Sequence, residues 1–144
     1  MKLILDDIYD KELKNYLLSQ EGIIDIEIVS KDFISEVNIN YDGKLTPIIV
    51  MKYIELFQND QSPRMLGFDK KTTYKFKKLR YLVDDMCCEY CYKSLIYELF
   101  KNEYIKSVKS NFDFNKPAFN IELLVEYNEN YNTKELKKFI TKNI

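Results

Sequence analysis

The stretch Met86-Cys87-Cys88-Glu89-Tyr90-Cys91 contains all three cysteines of a 144-residue chain that has no histidine. Cys88 and Cys91, three positions apart, put one thiol on a loop and the other in a first helical turn if a helix starts here, so both sulfurs converge on one ion. The free N–H groups of a helix start favour the thiolate form. Two thiolates without histidine form a soft site that suits Cu(I), and less specifically Zn(II) or Cd(II). Cys87 supplies a third thiol that could complete a three-sulfur site, form a redox pair or point away. Met86 is expected to point inward as a core plug rather than bind metal. Asp84 and Asp85 place negative charge close to the thiols and work against thiolate formation.

Other chemistry is poorly provided for. Without histidine the usual serine and cysteine triads cannot be built. Gly22, Gly43 and Gly67 lie apart in separate turns, so no phosphate-cradling loop exists. Asp6-Asp7 and Asp84-Asp85 are adjacent pairs whose members point to opposite sides of a strand end, and they suit helix starts better than an acid/base couple. No enzyme is expected. A net charge of −1 offers no general attraction to nucleic acid or to anionic membranes. Lys75, Lys77, Lys78 and Arg80 cluster without an aromatic stacking motif, and they are read as protection of a sheet edge. The opening residues turn acidic after about four apolar positions, too short a run for a signal-peptide core, and no stretch is apolar enough to span a bilayer. Three cysteines in one loop suit a reducing compartment, and the cytoplasm is the default.

The elements that would position the cysteines occur twice. "VNINYDGKLTPIIVMKYI" (Val37 to Ile54) aligns without a gap on "LLVEYNENYNTKELKKFI" (Leu123 to Ile140). In each, alternating apolar residues (Val37, Ile39, Tyr41; Leu123, Val125, Tyr127) give way to a helical period. Thr46 with Pro47, and Asn132 with Glu135, are helix-start signals. Upstream, a helix end and an alternating strand recur, with Ile24, Ile26 and Ile28 in one copy and Ile105 and Val108 in the other. "LDDI" (Leu5 to Ile8) matches "VDDM" (Val83 to Met86). Each copy is strand, helix, strand, strand, helix, which predicts an α+β protein of two tandem ferredoxin-like (βαββαβ) domains, 1–70 and 71–144.

The boundary falls in "QNDQSPR" (Gln58 to Arg64), a polar stretch without periodicity. "MLGFDK" (Met65 to Lys70) suits a fourth strand for copy one, whereas copy two ends after its second helix and lacks its own last strand. That leaves the edge of its first strand open, to be covered by the region Met65 to Thr73 or by a second molecule in a homodimer.

The M-x-C-x-x-C loop between a predicted strand and helix, within this element order, resembles the heavy-metal-associated domains of copper chaperones and of the N-terminal tails of copper-transporting P-type ATPases. The resemblance implies Cys88 and Cys91 as ligands, a soluble protein for metal trafficking or homeostasis, and a docked protein partner such as a metal-transporting ATPase, with transfer between thiolate pairs. The family's usual glycine before the methionine is Asp85 here, and Lys142 is the candidate for the basic residue that the family places near the metal. Copy one has Ile8 in place of Met86 and resembles a relative without the motif. Two other functions fit the same residues: a protein-interaction module, with Tyr90 and Tyr92 as interface anchors or as ordinary half-buried packing, and a thiol-disulfide redox protein using Cys88 and Cys91.

Overall fold

A computed structural model of the chain describes residues 1–6, 10–59, 64–85, 89–112 and 119–144. They divide into two compact units, Met1–Met65 and Leu66–Ile144.

The first unit contains strand β1 (Lys2–Asp6), helix α1 (Asp10–Leu18), strands β2 (Ile23–Lys31) and β3 (Ile34–Tyr41), and helix α2 (Pro47–Phe57). Its strands run in the order β2-β3-β1, with both pairings antiparallel. The first two strands in sequence are thus separated by the third, the split order of a β-α-β unit whose connection must cross a neighbouring strand. Period-two alternation puts Leu3, Leu5, Val37 and Ile39 on the covered face, with Leu13 and Leu17 of α1 and Val50, Met51 and Ile54 of α2 buried as well. Tyr16 and Phe57 join the two helices, ring centroids 5.3 Å apart. The sequence signals at α2 hold: Thr46 is its N-cap and accepts from the Ile49 N–H at 3.3 Å, and Pro47 occupies the first turn.

Two features of the first unit depart from simple alternation. Ile24 was expected to face inward with Ile26 and Ile28, yet it is 59% exposed. It sits at the register shift between Ile23 and Asp25, on a strand with a neighbour on one side only among the described residues. The β2–β3 turn carries two consecutive residues in the left-handed region, Asp32 (φ 53°) and Phe33 (φ 67°). That is the pattern of a type I′ turn, which matches strand twist but favours asparagine and glycine.

The second unit contains strands β4 (Met65–Asp69, which enters this unit at Leu66) and β5 (Phe76–Asp85), helix α3 (Glu89–Lys101), strands β6 (Ile105–Ser110) and β7 (Phe119–Asn128), and helix α4 (Thr133–Lys142). Its strand order is β4-β6-β7-β5, so β5, β6 and β7 repeat the arrangement of β1, β2 and β3. Ile105 and Val108 are both buried although three apart, because the β6–β7 register shifts between Ile105 and Ser107. Asn132 caps α4, accepting from the N–H groups of Lys134 (2.8 Å) and Glu135 (3.4 Å). The open-edge expectation needs correcting in one respect. Met65–Asp69 does not cover β5; it pairs with β6 through Phe68 opposite Val108 and Asp69 opposite Ser107. Phe68 makes an edge-to-face contact with Phe100 of α3, and Asp69 pairs with Lys106 of β6 at 2.6 Å. These side chains select the β6 edge, and among the described residues β5 has a strand on one side only.

Candidate metal centre

The cysteine segment joins β5, which ends at Asp85, to α3, which begins at Glu89. Cys91 lies in the first turn of that helix and is half-buried. Its sulfur is disulfide-bonded. The chain's other two cysteines, Cys87 and Cys88, lie outside the described residues, as does Met86. Among the described residues no group of three or more acidic or cysteine side chains is close enough to hold a metal ion. Lys142 is exposed at the end of α4. Ile8, the counterpart of Met86 in the first unit, is also outside the described residues.

The residues around Cys91 fix how the start of α3 is held. Glu89 forms an ion pair with Lys93, one helical turn on, and Lys93 is almost fully covered. Tyr90 is 79% exposed whereas Tyr92 is fully buried. Of the two tyrosines considered as anchors for a partner, Tyr92 is therefore committed to the interior: it begins the apolar stripe Tyr92, Leu95, Ile96, Leu99 of α3.

Burial of Tyr92 is accompanied by full use of its hydroxyl. Its Oη donates to the Leu66 carbonyl of β4 at 2.7 Å. Having given its one proton there, it accepts from the Ser110 hydroxyl at the end of β6, and Ser110 Oγ in turn accepts from the Phe112 N–H at 3.2 Å. The ring stacks on Phe112, centroids 4.3 Å apart and planes 4° from parallel. Burial pushes the Tyr92 phenol up to about 12, opposed by the hydrogen bond from Ser110. The residue next to Cys91 thus ties the helix start to both β4 and β6.

The far end of α3 is held by a buried cation. Lys70, which follows β4, donates from Nζ to the carbonyls of Phe100 and Asn102, each at 2.9 Å, where the last turn leaves acceptors without intrahelical partners. The ammonium also lies 5.5 Å from the Phe68 ring centroid and 5.3 Å from that of Phe100. Burial lowers Lys70 to about 8, with the Glu103 carboxylate pulling the other way. Sequence reasoning passed over Lys70. The available signal was a single lysine directly after "MLGFD", which an exposed loop explains equally well.

No protein-family model matches this chain, and neither does any curated protein sequence. Among solved structures, the chain is similar to the N-terminal soluble domains of Bacillus subtilis CopA, determined in solution. The identity is 15%, the alignment covers 99% of this chain and 88% of that one, and the TM-score is 0.36.

Proposed function

We propose that this chain is a non-enzymatic heavy-metal-binding protein of two tandem ferredoxin-like domains, in which Cys88 and Cys91 of the second domain bind Cu(I), or another thiophilic ion such as Zn(II) or Cd(II), for trafficking or homeostasis. The observation that carries the reading is the position of Cys91 in the first turn of α3, directly after the β5–α3 connection that contains Cys87 and Cys88. A thiol there meets the free N–H groups of the helix start, which stabilise an anionic sulfur and so a soft-metal ligand. The first domain, without cysteines, serves docking, and the cytoplasm is the compartment that keeps such thiols reduced. The metal would be exchanged with a protein partner carrying a similar thiolate pair, a metal-transporting ATPase being the kind that the motif suggests.

The disulfide at Cys91 sets the condition for binding: two electrons and two protons must first convert it to thiols. It also favours a second reading, a thiol-disulfide exchange protein, in which a substrate dithiol is oxidised as this disulfide is reduced. Anaerobic titration of the reduced protein with Cu(I) against a chromophoric chelator, beside Cys88→Ser/Cys91→Ser, separates the two. Stoichiometric tight binding that the double variant loses is the expected result. Weak binding, or equal binding by both proteins, overturns the metal reading.

A further inference from the structure

Strand β2 of the first unit and strand β5 of the second each pair with a single strand among the described residues and carry opposite charge. β2 pairs only with β3, and β5 only with β7, so each presents one row of backbone groups with no strand beside it among the described residues. On β2, Ile26 and Ile28 face the core, opposite Ile39 and Val37, while Asp25, Glu27 and Val29 face the other way and are exposed. On β5, Leu79 and Tyr81 lie on the helix-covered face, where the Tyr81 hydroxyl meets Thr141 of α4 at 3.0 Å. Lys78, Arg80 and Leu82 occupy the opposite face and are exposed. Arg80 meets Glu122 of β7 at 3.2 Å, but its side chain remains 74% exposed and open to a neighbour on the outer side.

We propose that β5 of one copy adds to β2 of a second copy, giving a head-to-tail association of this chain. The strands are of nearly equal length, ten and nine residues. Laid in parallel with Lys78 beside Asp25, they bring Arg80 beside Glu27 and Leu82 beside Val29 on the open face, and Leu79 beside Ile26 and Tyr81 beside Ile28 on the helix-covered face. Each of these five positions then meets a neighbour of matching chemistry. A symmetric dimer is opposed in the registers that set these same residues together: two β5 edges then place Lys78 against Arg80, and two β2 edges place Asp25 against Glu27. The basic residues of β5 therefore protect that edge against its own kind while fitting it to the acidic one.

The test is sedimentation velocity on the full chain, with reductant present to exclude intermolecular disulfides. The wild type is expected to grow in mass with concentration, and added salt should reverse the growth. Lys78→Glu/Arg80→Glu and Asp25→Lys/Glu27→Lys should each remain monomeric alone. Mixed, they should regain growth in mass with concentration, since the intact β5 of one meets the intact β2 of the other and the two reversed edges are again opposite in charge. Asp25→Asn/Glu27→Gln, a milder change at exposed positions, should weaken association by about tenfold, as expected for two cross-strand charge pairs. A wild type that stays monomeric overturns the proposal. So does association that survives either charge reversal, as a symmetric dimer would require, or a mixture that stays monomeric.

Discussion

Tyr92→Phe isolates one hydroxyl at the start of α3. The substitution keeps the ring, its stack on Phe112 and its fully buried position, and removes only the group that joins the Leu66 carbonyl to Ser110. A buried neutral hydrogen bond whose loss leaves its acceptor without a partner costs about 1–3 kcal/mol. With a urea dependence of about 2 kcal/mol per molar, the transition containing the second unit should fall by about 0.5–1.5 M. Alkaline pH supplies a second test. The phenol titrates near 12 in the folded protein against an ordinary 10, so the folded state holds its proton more tightly. The wild type therefore has its full share of this stability below pH 10 and loses it as pH rises from 10 to 12, by about 3 kcal/mol at most. The phenylalanine variant has no such loss at this position, and the other tyrosines contribute equally to both proteins. Urea titrations followed by circular dichroism should show a gap between the two proteins at pH 7.5 that narrows steadily above pH 10. An unchanged midpoint at neutral pH would refute the idea that this hydroxyl ties the helix to β4 and β6, as would a gap of constant size.

Lys70→Met should alter how stability depends on pH. The folded amine releases its proton near 8 and the unfolded one near 10.5, so wild-type stability should rise with pH across that window, by up to about 3 kcal/mol, and the variant should lack the rise. Urea midpoints at pH 7.5 and 9.5 measure it. Phe33→Gly relieves a left-handed backbone at an 89% exposed side chain, and a gain of about 1 kcal/mol in thermal or urea unfolding is expected. A fragment beginning at Lys71 omits β4, the Leu66 acceptor of Tyr92 and the Lys70 cap of α3, and should give far poorer dispersion in a proton–nitrogen correlation spectrum than one beginning at Met65.

The parts of the fold legible in the sequence are those written over a few residues. Thr46 with Pro47 and Asn132 with Glu135 mark their helix starts because capping is settled within one turn. Leu123, Val125 and Tyr127 reveal their strand because alternation is local, and all three are buried. What was misjudged depended on partners distant in sequence. Whether Ile24 is covered depends on its strand having a neighbour on one side only among the described residues, and the choice of β6 by Met65–Asp69 depends on Phe100 and Lys106, more than thirty positions along the chain. At the candidate site, the place of Cys91 in a first helical turn was legible through spacing and helix period. The role of Tyr92 was not, because one side chain at a helix start looks alike whether it meets solvent or a carbonyl on another strand. A separate clue was available in its spacing to Leu95, Ile96 and Leu99, the three- and four-residue steps of a buried stripe.

The parallel stack of Tyr92 on Phe112 gives the protein an optical reporter. Rigid, closely stacked aromatic rings in an asymmetric interior produce a near-ultraviolet circular dichroism signal, and this chain has no tryptophan to mask it. Because Tyr92 adjoins Cys91, reduction of the disulfide or arrival of a metal that shifts the helix start would change the coupling of the two rings. The event would be readable by light, without a label.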